Sequence, residues 1–236
     1  MTEPAMFAIP AGPAVQLDVA PRLASWNRAG DQDQVKLEAF LAATEQILRP
    51  RCEQLAGPLA IRLDIGLPLA TPLLDQRDLD NYLFPLAVRM SKTTGTRLVS
   101  AWGTKLHSDA SFARIESAVP IQAPAPGSPS YTVRTDRSSQ TTAFKQQIHD
   151  QLTGAATLPD GPVRMQLSFT VGPRRNWLNL WKPTIDALGQ ILGNTSPGQS
   201  WHPQDGRIVE LGLHRRVEQA LGNEVLITIK ANTQQM

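Results

Sequence analysis

The chain has one cysteine, Cys52, so it can form no internal disulfide and no zinc site built on several cysteines. Cys52 reads as a packing residue at the end of a helix. Gly-rich phosphate loops, Gly-x-Ser-x-Gly and His-Glu-x-x-His are also missing, which leaves P-loop nucleotide hydrolysis and zinc proteolysis without a motif. No apolar run approaches the thickness of a bilayer. Residues 1–19 lack a basic stretch followed by an apolar one, so the expectation is a cytoplasmic protein with no secretory signal and no membrane contact. A strong charge of one sign is absent too. The net charge of +2 permits a nucleic-acid partner without arguing for one.

What is present is a globular composition, 41% apolar and 19% charged. Its 236 residues suffice for one large domain or two small ones. Nineteen prolines favour many short elements over a helical bundle. Val35, Leu37, Phe40, Leu41, Ile47 and Leu48 recur at helical spacing, predicting a helix over 34–55 that Gly57-Pro58 stops. Leu59, Ile61, Leu63, Ile65 and Leu67 alternate, predicting a strand over 59–67. A loop over 68–76, a helix over 78–90 and a strand over 114–122 follow. Residues 123–130 (APAPGSPS) read as a linker.

After the linker the same order returns. A helix over 141–152 is broken by Asp160-Gly161-Pro162, and a strand over 163–171 alternates Val163, Met165, Leu167, Phe169 and Val171. A loop over 172–175, a helix over 179–192 and strands over 208–216 and 224–230 complete the series. Gly57-Pro58 and Gly161-Pro162 precede corresponding strands. Asn81 and Asn179 are each followed four residues later by a proline, Pro85 and Pro183, read as lying in opening helical turns where a missing N–H is tolerated. This is an α+β pattern in two tandem modules, 1–126 and 127–236. The alternative is one α+β domain with recurring helix–strand units.

Asp78-Leu79-Asp80 is the sharpest chemical feature. Carboxylates at i and i+2 face the same way on extended chain, and a strand-to-helix junction sets them beside the positive end of a helix. Magnesium takes oxygen ligands and keeps several waters, so two or three carboxylates suffice. The plainer reading makes Asp80 a helix N-cap with a solvated neighbour.

Arg62-Leu63-Asp64-Ile65-Gly66-Leu67-Pro68, then a loop, then Gln76-Arg77-Asp78-Leu79-Asp80-Asn81 and a helix, resembles the RusA-type Holliday-junction resolvases. The resemblance implies a compact mixed sheet with helices packed on it, each module running strand-helix-strand-helix-strand-strand. It implies a Mg²⁺-dependent nuclease for branched DNA that acts as a dimer. Here the two modules would form an intramolecular pseudo-dimer within a monomer. Residues 179–182 and 186–188 carry the likeness into the second half. The family's second acidic position precedes its penultimate strand, which implies Asp109 in the first module and Asp205 in the second. The family also has an important Lys three residues after the Asn. Phe84 stands there in the first module and Lys182 in the second, while Asn176 and Leu178 replace the paired carboxylates in the second. The expected metal ligands are therefore Asp78, Asp80 and Asp109, with Mg²⁺, or else Mn²⁺, as the ion. Lys182 joins them as a catalytic residue only if it reaches across the half-to-half interface. The rival is a DNA-binding or protein-assembly module without catalysis, suggested by the missing Lys in the first module.

Arg77, Arg174, Arg175, Arg215 and Arg216 are the candidate phosphate contacts, set against a merely solvated surface. Trp177, Trp181 and Trp201 read either as base-stacking residues or as packing that fills a lost site. His107 and His202, each just before an implied acidic position, read as surface histidines or as acid–base groups.

Overall fold

A computed structural model describes residues 5–24, 27–28, 30–121, 130–196, 198 and 200–233. The expected linker lies almost wholly outside these residues, as does the boundary at 126. The strands are β1 (Met6–Phe7), β2 (Val15–Gln16), β3 (Leu59–Leu67), β4 (Leu98–His107), β5 (Phe112–Ser117), β6 (Pro120–Ile121), β7 (Ser130–Thr135), β8 (Val163–Val171), β9 (Ile208–Val217) and β10 (Val225–Thr233). The helices are α1 (Gln32–Gln54), α2 (Leu79–Thr94), α3 (Thr142–Gln151), α4 (Trp181–Asp186) and α5 (Gly189–Leu192). The fold is α+β, as expected.

Eight strands form one mixed sheet in the order β2-β5-β3-β4-β9-β8-β10-β7. Read from either edge, the pairing is the same. In the first half β3 runs parallel to β4 and antiparallel to β5. In the second β8 runs parallel to β9 and antiparallel to β10. Both parallel pairs slip register at the same place, between Leu59 and Ala60 and between Val163 and Arg164. The halves meet at the antiparallel pair β4–β9, where Trp102 stands opposite Gly212. A Cβ on Gly212 would lie 2.8 Å from the Trp102 indole, so the small residue makes room for the large one.

With β1 and β6 set aside and α4 and α5 taken together, each half runs strand, helix, strand, helix, strand, strand. Asp31 caps α1 by accepting from the Asp33 N–H at 2.9 Å. The helix buries Leu37, Phe40, Leu41, Thr44, Leu48 and Cys52 at helical spacing, whereas Val35 is exposed. Arg97 donates to the Leu55 and Cys52 carbonyls and holds the end of α1. Arg207, at the same place in the second half, donates to the Gly161, Leu192 and Pro159 carbonyls. The apolar faces predicted for β3 and β8 are buried. Ala60 and Asp64 are buried too, because residues 5–17 cover the opposite side of the sheet. Ser168 donates to Ala5, Arg62 to Pro10 and Arg114 to Gly12.

Several expectations need correction. The strand over 114–122 is β5 followed, after a break at 118–119, by β6, and β7 begins at Ser130 where the linker was expected to end and no strand was foreseen. The helix over 179–192 is instead a 3₁₀ turn (Leu178–Leu180) followed by α4 and α5. Pro85 lies in the second turn of α2 rather than the first. It cannot donate to the Asn81 carbonyl, which accepts from the Ala24 N–H at 2.7 Å instead. β4 was not expected at all. Its helix-facing residues are Ala101, Gly103 and Lys105, because α2 packs so closely that a Cβ on Gly103 would lie 2.8 Å from Leu83.

Candidate metal centre

The loop after β3 must turn sharply to start α2. Gln76 and Arg77 both take left-handed backbone angles, φ 56° and 58°, which cost energy in non-glycine residues. Lys105, only 3% exposed, holds them there. Its ammonium donates to the Gln76 carbonyl (3.2 Å), the Arg77 carbonyl (3.2 Å) and the Gly206 carbonyl of the other half (2.5 Å). Gly206 is needed at this crossing, since a Cβ there would meet the Gln76 nitrogen at 2.7 Å.

This turn places Asp78 at the N-cap of α2, with Asp80 in its first turn. The cap is therefore Asp78 and not Asp80. The Asn81 amide donates to Asp78 Oδ2 at 3.1 Å and fixes one carboxylate oxygen. From the second half, Asp205 opens the 3₁₀ turn Asp205–Arg207 that Arg207 anchors below β9. One oxygen from each of Asp78, Asp80 and Asp205 lies within 4.8 Å of the other two. Among the described residues this is the one group of three His, Cys, Asp or Glu side chains so arranged. It could hold a metal ion.

Lys182, in the first turn of α4, reaches the group. Its Nζ is 2.9 Å from Asp205 Oδ2 and 3.0 Å from Asp186 Oδ1. Asp186 is held in turn by Lys145 at 2.8 Å. Burial works against the Lys182 ammonium, but Asp80, Asp205 and Asp186 outweigh it and hold its pKa above the ordinary lysine value. Asp80 is 3% exposed. Its burial, with Asp205, Asp78 and Asp186 nearby, pushes its pKa to about 7 against the pull of Lys182. Asp78 is raised by burial and by Asp205. Burial brings Lys105 down to about 8 although the surrounding aspartates favour its charge.

Asp109 is not part of this group. It is exposed in the turn between β4 and β5, and Asp205 supplies the third carboxylate. The expected pairing of Asp109 with Asp205 was displaced by one strand because β4 went unseen. Asp205 precedes β9, whose counterpart is β4, and the 3₁₀ turn before β4 begins with Gly95. The missed residues are Asp205 as the third member of the acidic group and Lys105 as the brace. Only the acidic residue ahead of a closing strand could have hinted at the first, and nothing in the sequence marks the second.

Arg77 is exposed beside Asp78, and Arg174 is exposed after β8. Arg175 is half-buried and donates to the Arg137 carbonyl. Arg215 and Arg216 are half-buried near the end of β9. Because β8 runs parallel to β9 and Asp205 precedes β9, these last four arginines lie at the end of the sheet opposite Asp205. Trp177 and Trp181 are buried edge to face at 4.9 Å, as the packing reading requires, while Trp201 stacks edge-on against His149. His107 and His202 are exposed and outside the acidic group. No protein-family model matches the chain, and no curated protein matches its sequence.

Proposed function

We propose that the chain is a Mg²⁺-dependent endonuclease for branched DNA, built from two fused copies of a RusA-like module and keeping one working centre at the junction between them. The observation that carries this reading is the convergence of Asp78 and Asp80 from one half with Asp205 and Lys182 from the other. The donor set fits the ion: three carboxylates are hard oxygen ligands, and one of them is buried where an unbalanced charge is costly. When bound there, the ion would activate water and stabilise charge on a phosphodiester. Asp78, Asp80 and Asp205 would hold it, and Lys105 keeps their backbone in place. Lys182, drawn in by Asp205, is placed to neutralise a phosphate oxygen.

The fusion reading is supported by the sheet that pairs alike from both edges, the shared register slip and the matching Arg97 and Arg207 anchors. It also accounts for the lost counterpart. Asn176, Leu178, Gly95 and Phe84 occupy the positions of Asp78, Asp80, Asp205 and Lys182. An Asn and a Leu cannot replace two anionic ligands for a hard cation. The rival module without catalysis rested on the first half's missing lysine, and Lys182 fills that gap from the second half. With one centre, the enzyme nicks one strand per encounter. The test is cleavage of branched DNA with Mg²⁺. We expect nicking that chelator abolishes and that Asp78→Asn or Asp205→Asn lowers at least a hundredfold. No cleavage by wild type, or full activity in either variant, overturns the proposal.

A further inference from the structure

Between α2 and α4 the two halves leave a cavity of about 430 Å³, within the size range of small-ligand sites. Corresponding positions line its two sides: Asp80 and Phe84 from α2, Leu178 and Lys182 from the second half. In a symmetric pair both sides would carry the acid and the lysine. Here one side is ionic, Asp80 with Lys182, and the other is apolar, Leu178 with Phe84. Trp181 backs the apolar side, edge-on to Phe84 with ring centroids 6.4 Å apart. The Trp181 side chain is fully buried, yet its indole N–H has no hydrogen-bond partner. That N–H lies beneath the wall and offers nothing to a ligand, so on this side the exposed lining is apolar.

A ligand for this cavity therefore needs an anionic or metal-bound group at one end and a flat apolar body at the other. Within DNA, a nucleotide whose base has left the stack presents both. The geometry points to a base-binding subsite: the cavity takes the unpaired base of the nucleotide whose phosphate would meet Lys182 and the cation held by Asp78, Asp80 and Asp205. The placement of the phosphate rests on the nuclease reading above. The lost catalytic site has thus become a recognition site, and the preferred substrates carry unpaired nucleotides at the branch, as flaps and bulges do, rather than fully paired four-way junctions.

The test places 2-aminopurine, a fluorescent adenine analogue, at the unpaired branch nucleotide and measures binding with Ca²⁺ in place of Mg²⁺. Wild type should quench the emission severalfold. Phe84→Ala should weaken binding about tenfold, the loss of one base–aromatic stack. Phe84→Leu, which keeps the packing without the flat ring, should behave alike and guards against misfolding. Unchanged emission at saturation, unchanged affinity in both variants, or equal affinity for a fully paired junction overturns the inference. Cleavage with Mg²⁺ but no quenching would overturn the subsite and leave the nuclease. Quenching without cleavage would do the reverse.

Discussion

Charge burial sets the chemistry of individual residues. His214 sits at the centre of the sheet, fully buried, with Ser100 Oγ at 3.1 Å and Gln166 Oε1 at 3.3 Å from its ring nitrogens. Burial lowers its pKa from 6.5 to about 3, so the folded protein holds it neutral. Between these values the unfolded chain binds the proton and the folded chain does not, so stability contributed by His214 is whole above pH 6.5 and falls as pH drops towards 3. Asp80, raised to about 7, runs the other way. Comparing wild type with His214→Gln cancels that opposing contribution. Wild type should lose stability relative to the variant as pH falls below 6.5, by up to about 1.4 kcal/mol per pH unit. Chemical denaturation between pH 5 and 8 checks this, and parallel curves would refute it.

Loops and strand ends are brought to the acids by Lys105. Its three carbonyl partners lie on two adjacent residues of the first half's loop and on the second half's 3₁₀ turn. Lys105→Met fills similar space but leaves those carbonyls without a donor, so the fold should lose about 2–4 kcal/mol. Mg²⁺ affinity should fall as Asp78 and Asp205 move apart. Thermal unfolding with and without Mg²⁺ reads both effects, and a variant with wild-type stability and metal response contradicts this role. The alternation of β3 and β8 was legible because their apolar faces are regular. β4 was not, because close packing by α2 leaves Gly103 where an apolar side chain would signal a strand, and Lys105 points a charge towards the helix side. That single omission sent the third ligand to Asp109. Asp78 and Asp80 were legible from their spacing. Their partner was not, because Asp205 is far away in sequence and meets them only once β4 and β9 pair.

The pairing of β4 with β9 makes one body of the whole molecule. The centre of that join holds Trp102 against Gly212, two different residues at corresponding positions. Two tryptophans would collide and two glycines would leave a void, so a single chain can use an asymmetry here that two identical subunits could not. Gly212→Val should cost about 1–3 kcal/mol by overpacking against the indole, measured by denaturant titration. A neutral result would mean that the join is looser than described. The same asymmetry runs through the candidate centre: Asp78, Asp80, Asp205 and Lys182 meet on one side, and Asn176, Leu178, Gly95 and Phe84 stand at the equivalent positions.

Calorimetric titration with Mg²⁺ or Mn²⁺ tests the composite centre most directly. One ion site per chain is expected, lost in Asp78→Asn and equally in Asp205→Asn of the other half, and unchanged in Asp109→Asn. Binding that survives Asp205→Asn, or that is lost in Asp109→Asn, contradicts it.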